Sequence, residues 1–244
     1  MRRQRAVLGV RGHRPYAMPR GPWVMGQTWE HLLFAHWSVD PDVLAGLIPA
    51  GLELDLRDGR AWISVAPFVM RAVHLRGLRS LPPFLETNTR TYVRRHGRPG
   101  IVFFSLEATS RTAVRAARLL GLPYRYGKGR IEVDGPRRHY AIRRTERGFS
   151  AARLEARYAP ASEPAQADPG SLDEFLVERY CLFAPRPGGR IRRIDIHHPP
   201  WRVSPAEGVV YTEGLVPQAL GPLGEPLLQV AERQDVLTWP PVAG

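Results

Sequence analysis

Cysteine and long apolar runs are almost missing from this sequence of 244 residues. The single cysteine, Cys181, excludes an intramolecular disulfide and a multi-cysteine metal site. Its apolar neighbours favour a buried, unreactive thiol. No apolar run approaches the roughly 18 to 20 residues that a membrane-spanning helix needs. With a hydrophobic fraction of 43%, the composition is that of a soluble globular protein, and we expect a cytoplasmic one.

Common catalytic and cofactor motifs are also missing. The sequence has no P-loop, no dinucleotide-binding GxGxxG after a strand, no GxSxG and no HExxH. The common classes of nucleotide-binding proteins and hydrolases are therefore less favoured, although the absence of a short motif does not exclude an enzyme. We predict no cofactor.

Histidines offer the best candidates for a metal site, but their spacing is unfavourable. His197 and His198 are adjacent on a predicted strand, where neighbouring side chains point to opposite faces. A metal would need a bend there and a third ligand such as His31, His36 or Asp195. We therefore predict a packing or hydrogen-bonding role for the pair and no metal site.

Lysine is nearly absent: Lys128 is the only lysine among 35 lysines and arginines, so the net charge of +12 comes almost entirely from arginine. Six arginines and no acid lie in residues 1–24. We expect that stretch to be a basic, disordered tail, followed by one β-rich domain over residues 25–240. A tail of this charge could bind polyanions, so a nucleic-acid-associated protein stays open as an alternative function, though an unfavoured one.

Many short strands and only three short helices are predicted along the chain. Asp40-Pro41 marks one helix start, and Asp58-Gly59 marks a hairpin between residues 52–56 and 61–66. The predicted strands cover 29–37, 52–56, 61–66, 88–93, 101–106, 130–134, 138–144, 149–158, 179–184, 190–197 and 208–216, and the other helices cover 109–120 and 172–178. Residues 71–85 are expected to be a loop. The pattern favours an α+β fold of predominantly antiparallel strands that closes on itself to remove its edges.

One predicted strand carries an unusual row of polar residues. Glu86, Asn88, Arg90 and Tyr92 alternate along it and so share one face. Such a row either forms the outer face of a sheet or lines a pocket, and burial would require partners for each group. Both interpretations are compatible with the pattern alone.

Several blocks of the sequence carry a resemblance to a known family. They are Trp29–Trp37, Asp58–Trp62, Pro67-Phe68, Asn88–Val93, Phe103–Leu106, Glu178–Cys181 and Ile196–His198. Together they resemble the YqjF-like bacterial proteins, a family of unknown function in the acetoacetate decarboxylase-like superfamily. The resemblance covers nearly all of 26–240 and implies a closed, barrel-like fold around an interior cavity.

The chain departs from the decarboxylases where their chemistry is carried. Gly121-Leu122-Pro123-Tyr124-Arg125 resembles their Gly-Phe-Pro-Lys-Lys, whose first lysine forms a Schiff base. Tyr124 cannot form that iminium ion, so the decarboxylase mechanism is not expected here. Arg125 could still present a positive charge to a carboxylate, and Glu86 resembles the decarboxylases' active-site glutamate. A displaced Schiff-base role for Lys128 is disfavoured by its flanking glycines.

These observations lead to a cavity that binds a small anionic or carbonyl-bearing metabolite. The candidate wall consists of Glu86, Asn88, Arg90, Tyr92, Tyr124, Arg125 and Lys128. The alternative is a lyase, hydrolase or isomerase without a Schiff base, with Glu86 as acid or base and Arg90 or Arg125 as anion clamp. A small-molecule ligand is the expected partner, a membrane is not, and a homo-oligomer is compatible with the sequence.

Overall fold

The computed structural model describes residues 2–244, which form fourteen strands and four α-helices. The strands are β1 (Met25–Val39), β2 (Glu53–Leu54), β3 (Ala61–Leu75), β4 (Phe84–Arg95), β5 (Arg98–Ala108), β6 (Tyr124–Asp134), β7 (Arg137–Arg144), β8 (Arg153–Pro160), β9 (Ala165–Gln166), β10 (Cys181–Pro185), β11 (Ile191–His197), β12 (Arg202–Glu213), β13 (Leu227–Thr238) and β14 (Val242–Ala243). The helices are α1 (Arg2–Ala6), α2 (Pro41–Ala45), α3 (Arg111–Leu119) and α4 (Leu172–Val177). None of these helices is long and apolar enough to cross a membrane.

Seven of the strands close into a ring. Its order is β1, β3, β4, β5, β10, β11 and β13, and β13 pairs again with β1. Every pairing in the ring is antiparallel except the one between β5 and β10. Every ring strand contributes apolar side chains to one core: Phe34, Phe68, Tyr92, Ile101, Leu182, Ile194 and Ala231. Closure satisfies the backbone groups that an open edge would expose, and it confirms the predicted antiparallel, closed α+β fold.

A second sheet of four strands, β6, β7, β8 and β12, is attached to this ring. It leaves the ring where β6 runs parallel to β5 and returns where β12 pairs with β13. Its inner face packs Tyr140, Leu154 and Tyr158 against the outward face of β1 and β3, which forms a second core. Strand β4 lies between the two cores, and for that reason residues on both of its faces are buried.

The helix starts follow the capping residues. Asp40 accepts hydrogen bonds from the backbone N–H groups of Asp42 and Val43 at 2.8 and 3.4 Å, and Pro41 is the first residue of α2. Ser110 caps α3 in the same way, and Gly121 follows that helix with a φ of +80°. The predicted helix over 109–120 is therefore confirmed, with slightly shorter bounds.

The predicted hairpin between residues 52–56 and 61–66 is wrong. Asp58 and Gly59 do form a turn with positive φ angles of 52° and 72°. The two residues of β2 nevertheless pair with β4, whereas β3 pairs with β1 and β4. The expected loop over 71–85 is also too long, because β3 continues to Leu75 and β4 begins at Phe84.

The N-terminal stretch differs from the disordered tail that we expected. Val7 and Trp23 are buried in a cluster with Trp239. The Gln4 side chain donates a hydrogen bond to Thr28 Oγ1 over 3.0 Å. The His13 side chain contacts the carbonyl oxygen of His198, the residue that directly follows β11. Apolar residues between the arginines give this segment enough surface to pack against the ring, which charge counting alone does not reveal.

Candidate functional site

The polar row on β4 lies inside the ring. Glu86, Asn88, Arg90 and Tyr92 are each at most 6% exposed, so they do not form a solvated outer face. The strand register places them opposite interior residues of β3, since Asn88 pairs with Ala66 and Arg90 with the residue two positions earlier on that strand. Alternation along the strand therefore brings four polar side chains into one apolar core.

Glu86 is hydrogen-bonded to Tyr124, the residue that the sequence resemblance aligns with the decarboxylases' Schiff-base lysine. Tyr124 lies at the start of β6, where it is in register with Leu106 of β5, and its hydroxyl donates to Glu86 Oε2 over 2.8 Å. Burial raises the pKa of Glu86 from 4.5 to about 7, and Glu107 nearby adds to the rise, while the hydrogen bond from Tyr124 opposes it. Burial and the adjacent Glu86 raise the pKa of Tyr124. The pair can hold or release a proton near neutral pH.

Arg90 is a buried cation without an acidic partner. Its Nη2 donates to the backbone carbonyl oxygen of Leu176 in α4 over 3.3 Å, and its guanidinium lies 5.1 Å from the ring centroid of Phe34. Among residues 2–244, Arg90 forms no ion pair, and its Nε has no hydrogen-bond partner. A buried charge with so few partners is costly, and an anion would compensate it.

Tyr92, His36 and Ser64 form a closed hydrogen-bonded group beside Arg90. Ser64 Oγ lies 2.6 Å from His36 Nδ1 and 2.7 Å from the Tyr92 hydroxyl, which also donates to the Leu176 carbonyl oxygen over 3.0 Å. Burial first and Arg90 second lower the pKa of His36 to about 3, so its imidazole is neutral at ordinary pH. Sequence reasoning assigned His36 only as a remote metal ligand and missed Ser64.

Four buried polar atoms on this interior face form no hydrogen bond of normal geometry within the described chain. They are His36 Nε2, Asn88 Oδ1, Arg90 Nε and Gln229 Oε1, and the side chains of His36 and Gln229 lie next to each other. Cross-strand pairing puts them on one face, because His36 pairs with Ser64, Arg90 also pairs with Ser64, and Gln229 pairs with Phe34. Buried polar groups are normally satisfied, so a cluster of exceptions indicates a place for a polar ligand. Gln229 lies on β13, a strand that we did not predict.

Two of the expected wall residues lie elsewhere. Arg125 follows Tyr124 on β6 and so points away from the ring interior; its guanidinium lies 3.9 Å from the ring centroid of Phe149. Lys128 is exposed on the outer face of the second sheet, because β6 leaves the ring after residue 126 and pairs with β7 from residue 127. The structure therefore brings together Glu86, Asn88, Arg90, Tyr92 and Tyr124 but neither Arg125 nor Lys128.

Two surface depressions of about 350 and 370 Å³ lie away from this interior group. The first includes Lys128 and Tyr211 on the second sheet, and the second includes Trp23 and Trp239 beside the N-terminal segment. Neither is lined by a residue of the polar row. The side chains of the row are buried, and Arg90 and Tyr92 contact the Leu176 carbonyl oxygen of α4.

The histidine pair and the cysteine are held by packing contacts. His197 Nε2 contacts the Val7 carbonyl oxygen at 2.9 Å, and the His198 ring stacks on Tyr180 with centroids 4.6 Å apart. Cys181 is buried, which raises the pKa of its thiol to about 11. Within residues 2–244, no cluster of three histidine, cysteine or acidic side chains could hold a metal ion.

The sequence comparisons point to one family. A profile described as an uncharacterized conserved protein, DUF2071, matches residues 26–235. The uncharacterized protein YqjF of Bacillus subtilis (strain 168) is 42% identical over 231 residues, which cover 92% of this chain and 94% of that protein.

Solved structures support the fold at low sequence identity. The enduracididine biosynthesis enzyme MppR complexed with pyruvate matches with a TM-score of 0.61 and 17% identity, covering 94% of this chain and 93% of that one. The acetoacetate decarboxylase from Legionella pneumophila matches with a TM-score of 0.61 and 16% identity, over 95% and 92% of the two chains. The acetoacetate decarboxylase-like fold that the sequence resemblance implied is therefore confirmed.

Proposed function

The chain belongs to the DUF2071 family, and from that premise we propose that the interior of its strand ring binds a small metabolite that carries a carboxylate and a carbonyl or hydroxyl group. The observation that carries the proposal is Arg90, a buried guanidinium with one backbone hydrogen bond and no ion pair among residues 2–244. An anion within hydrogen-bonding distance would offset the lost hydration of such a charge. A carboxylate is the smallest common metabolite group that offers this.

The surrounding groups set the chemistry of the rest of the ligand. Asn88 Oδ1 is an acceptor without a partner in the described chain, so it favours a ligand with a hydroxyl or amide N–H group. Below its pKa of about 7, Glu86 is a neutral acid that can donate a hydrogen bond to a carbonyl oxygen. Small oxo- and hydroxy-acids combine these features. MppR, which shares the fold, is described in complex with pyruvate, an anion of this class.

Binding in this site is non-covalent. The position of the decarboxylases' nucleophilic lysine holds Tyr124, whose hydroxyl is engaged with Glu86. A phenol cannot condense with a ketone to an iminium ion, so the ligand is held by hydrogen bonds and charge. Entry requires α4 to move, because the Leu176 carbonyl oxygen accepts hydrogen bonds from both Arg90 and Tyr92.

Calorimetric titration tests the proposal. Pyruvate, lactate, acetoacetate and acetate are titrated into the wild-type chain, Arg90→Met and Arg130→Met, a matched change at an exposed arginine. We expect at least one acid to bind the wild type and Arg130→Met with equal affinity. Its affinity for Arg90→Met is expected to be lower by about tenfold or more, which is the effect of losing one charge-assisted hydrogen bond. Equal binding by all three proteins, or binding by none, would overturn the proposal.

A second candidate function, catalysis without a Schiff base, is favoured by one observation. Glu86 has a pKa raised to about 7 and is hydrogen-bonded to a phenol, a combination suited to proton transfer next to a carbonyl. Its test is exchange of the α-protons of bound oxo-acids for deuterium, followed by NMR. Exchange that rises through pH 7 in the wild type and vanishes in Glu86→Gln supports a lyase or isomerase; wild-type exchange at the buffer rate contradicts it.

A further inference from the structure

Three basic residues lie directly opposite one another on the outer face of the second sheet. Lys128 of β6 pairs with Arg143 of β7, and Arg143 pairs with Arg153 of β8. All three are exposed. Side chains that are directly opposite on adjacent strands have Cβ atoms about 5 Å apart, and like charges in that position are destabilising. Arg153 has an acidic partner in Glu213, so the unfavourable contact that remains is the one between Lys128 and Arg143.

The surface is recessed beside this row. A depression of about 350 Å³ includes Lys128, Arg143 and Arg153 in its lining. Ala141 has only a methyl group on the outer face and lies between longer side chains, since it is opposite Arg130 on one side and Glu155 on the other. The hollow is large enough for a small ligand, and four of its rim side chains are basic.

The neighbouring acids already have basic partners, and one of these partners, Arg153, belongs to the row. Glu132 accepts a hydrogen bond from Arg130 over 3.0 Å, and Glu213 accepts one from Arg153 over 2.7 Å. Glu155, the one acid on the rim, lies 3.0 Å from His139 Nε2. Within the part of the chain that the structure describes, Lys128 and Arg143 form no ion pair.

We propose that this hollow is an anion-binding site whose ligand is the phosphate group of a small phosphate ester. Lys128 supplies a mobile ammonium, and Arg143 and Arg153 supply guanidinium groups that match the oxygen spacing of a phosphate. A dianion balances the row better than a carboxylate does. The site is separate from the ring interior and does not depend on the function proposed there.

Lys128 allows a direct test because it is the only lysine in the chain. Reductive methylation with ¹³C-formaldehyde labels its amine and the chain terminus, which resonate separately. Inorganic phosphate and glycerol 3-phosphate are titrated at pH 7.5, with chloride at equal ionic strength as the control. We expect a saturable shift of the Lys128 resonance with both phosphates and only a small, linear one with chloride.

Two arginine variants separate the site from general surface charge. Arg143→Gln is expected to weaken phosphate binding about tenfold, the effect of one charge-assisted hydrogen bond. Arg157→Gln, on the same exposed face of β8, leaves it unchanged. A phosphate response no different from chloride, or equal losses in both variants, would overturn the proposal. So would saturable binding of a single-stranded oligonucleotide with none of either phosphate.

Discussion

Strands β4 and β5 each carry one buried glutamate, Glu86 on the inward face and Glu107 on the outward face, and the two have very different hydrogen-bond partners. On the outward face, Glu107 accepts hydrogen bonds from Arg144 Nε at 3.1 Å and from Ser105 Oγ at 3.2 Å, and it is in ion-pair contact with Arg144 Nη2. On the inward face, Glu86 accepts one side-chain hydrogen bond, and Arg90, four residues further on, has no ion pair within residues 2–244.

We interpret Glu107 as a structural charge and, on the function proposed above, the row from Glu86 to Tyr92 as a ligand-binding group. A buried carboxylate that is surrounded by donors stabilises one arrangement of the chain and has no capacity left for a ligand. A buried row whose Arg90 Nε and Asn88 Oδ1 have no partner in the described chain keeps that capacity at the expense of stability. Variants at the two faces are therefore expected to respond in opposite ways.

The largest expected effect on stability is at Glu107, on the outward face, where the carboxylate is surrounded by donors. Glu107→Gln leaves Arg144, whose side chain is only 9% exposed, without its counter-charge, so we expect the free energy of unfolding to fall by about 3–5 kcal/mol. Urea denaturation measures it, with the exposed Glu155→Gln as control. A loss below about 1 kcal/mol would remove the distinction between the two faces, because the pair would then behave like a surface ion pair.

The next effect is a pH dependence that belongs to Glu86. Its pKa is about 7 in the folded state against 4.5 ordinarily, so the folded protein binds more protons between those values and loses stability as pH rises through them. At about 1.4 kcal/mol per pH unit the loss totals about 3 kcal/mol. His36, whose folded pKa is about 3, acts in the opposite direction as pH falls below 6.5.

The difference between wild type and Glu86→Gln isolates the glutamate from the histidine. Glutamine resembles the neutral acid, so the variant is expected to match the wild type near pH 4.5 and to exceed it by about 3 kcal/mol at pH 8. Unfolding by urea at several pH values gives the comparison. A constant difference across that range would show that Glu86 is ionised in the folded state throughout.

A smaller change is expected at Arg90. Methionine fills the stem volume of arginine without its charge, so Arg90→Met is expected to change the free energy of unfolding by less than about 1 kcal/mol, or to raise it. Thermal and urea unfolding measure this change in the free energy of unfolding, with Glu107→Gln measured in parallel for comparison. A loss as large as that of Glu107→Gln would mean that the inward charge is structural as well.

The smallest expected effect lies outside both faces, on the second sheet. Lys128→Met removes a charge that faces Arg143 directly, so we expect a gain of about 0.2–1 kcal/mol in low salt that disappears in high salt. Arg130→Met, which removes a partner of Glu132, is the control and gives no gain. Equal effects of the two changes would contradict the like-charge repulsion.

Local patterns predicted much of this architecture. Alternation identified the row from Glu86 to Tyr92, and the helical period of apolar residues over 109–120, followed by Gly121, located α3 correctly. Strand β13 was missed because Glu232, Arg233, Gln234 and Asp235 interrupt its apolar pattern. Those side chains are accommodated by partners far along the chain, as Arg233 shows in its ion pair with Glu30 at 2.9 Å.

The interior site was predicted only in part for the same reason. Strand parity placed residues of β4 together, but it could not show that His36, Ser64 and Gln229 from three other strands join them, since that depends on long-range register. The placement of Lys128 in the candidate wall was wrong, because β6 passes from the ring to the second sheet within a few residues.

Native mass spectrometry of the chain, purified without added ligand and then exposed to a library of small oxo- and hydroxy-acids, tests the central claim most directly. If the row from Glu86 to Tyr92 binds such an acid, one small-molecule adduct per chain is expected in the wild type. Arg130→Met is expected to retain this adduct and Arg90→Met to lose it. Adduct-free spectra across the whole library, or adducts that Arg90→Met binds as well as the wild type does, would contradict it.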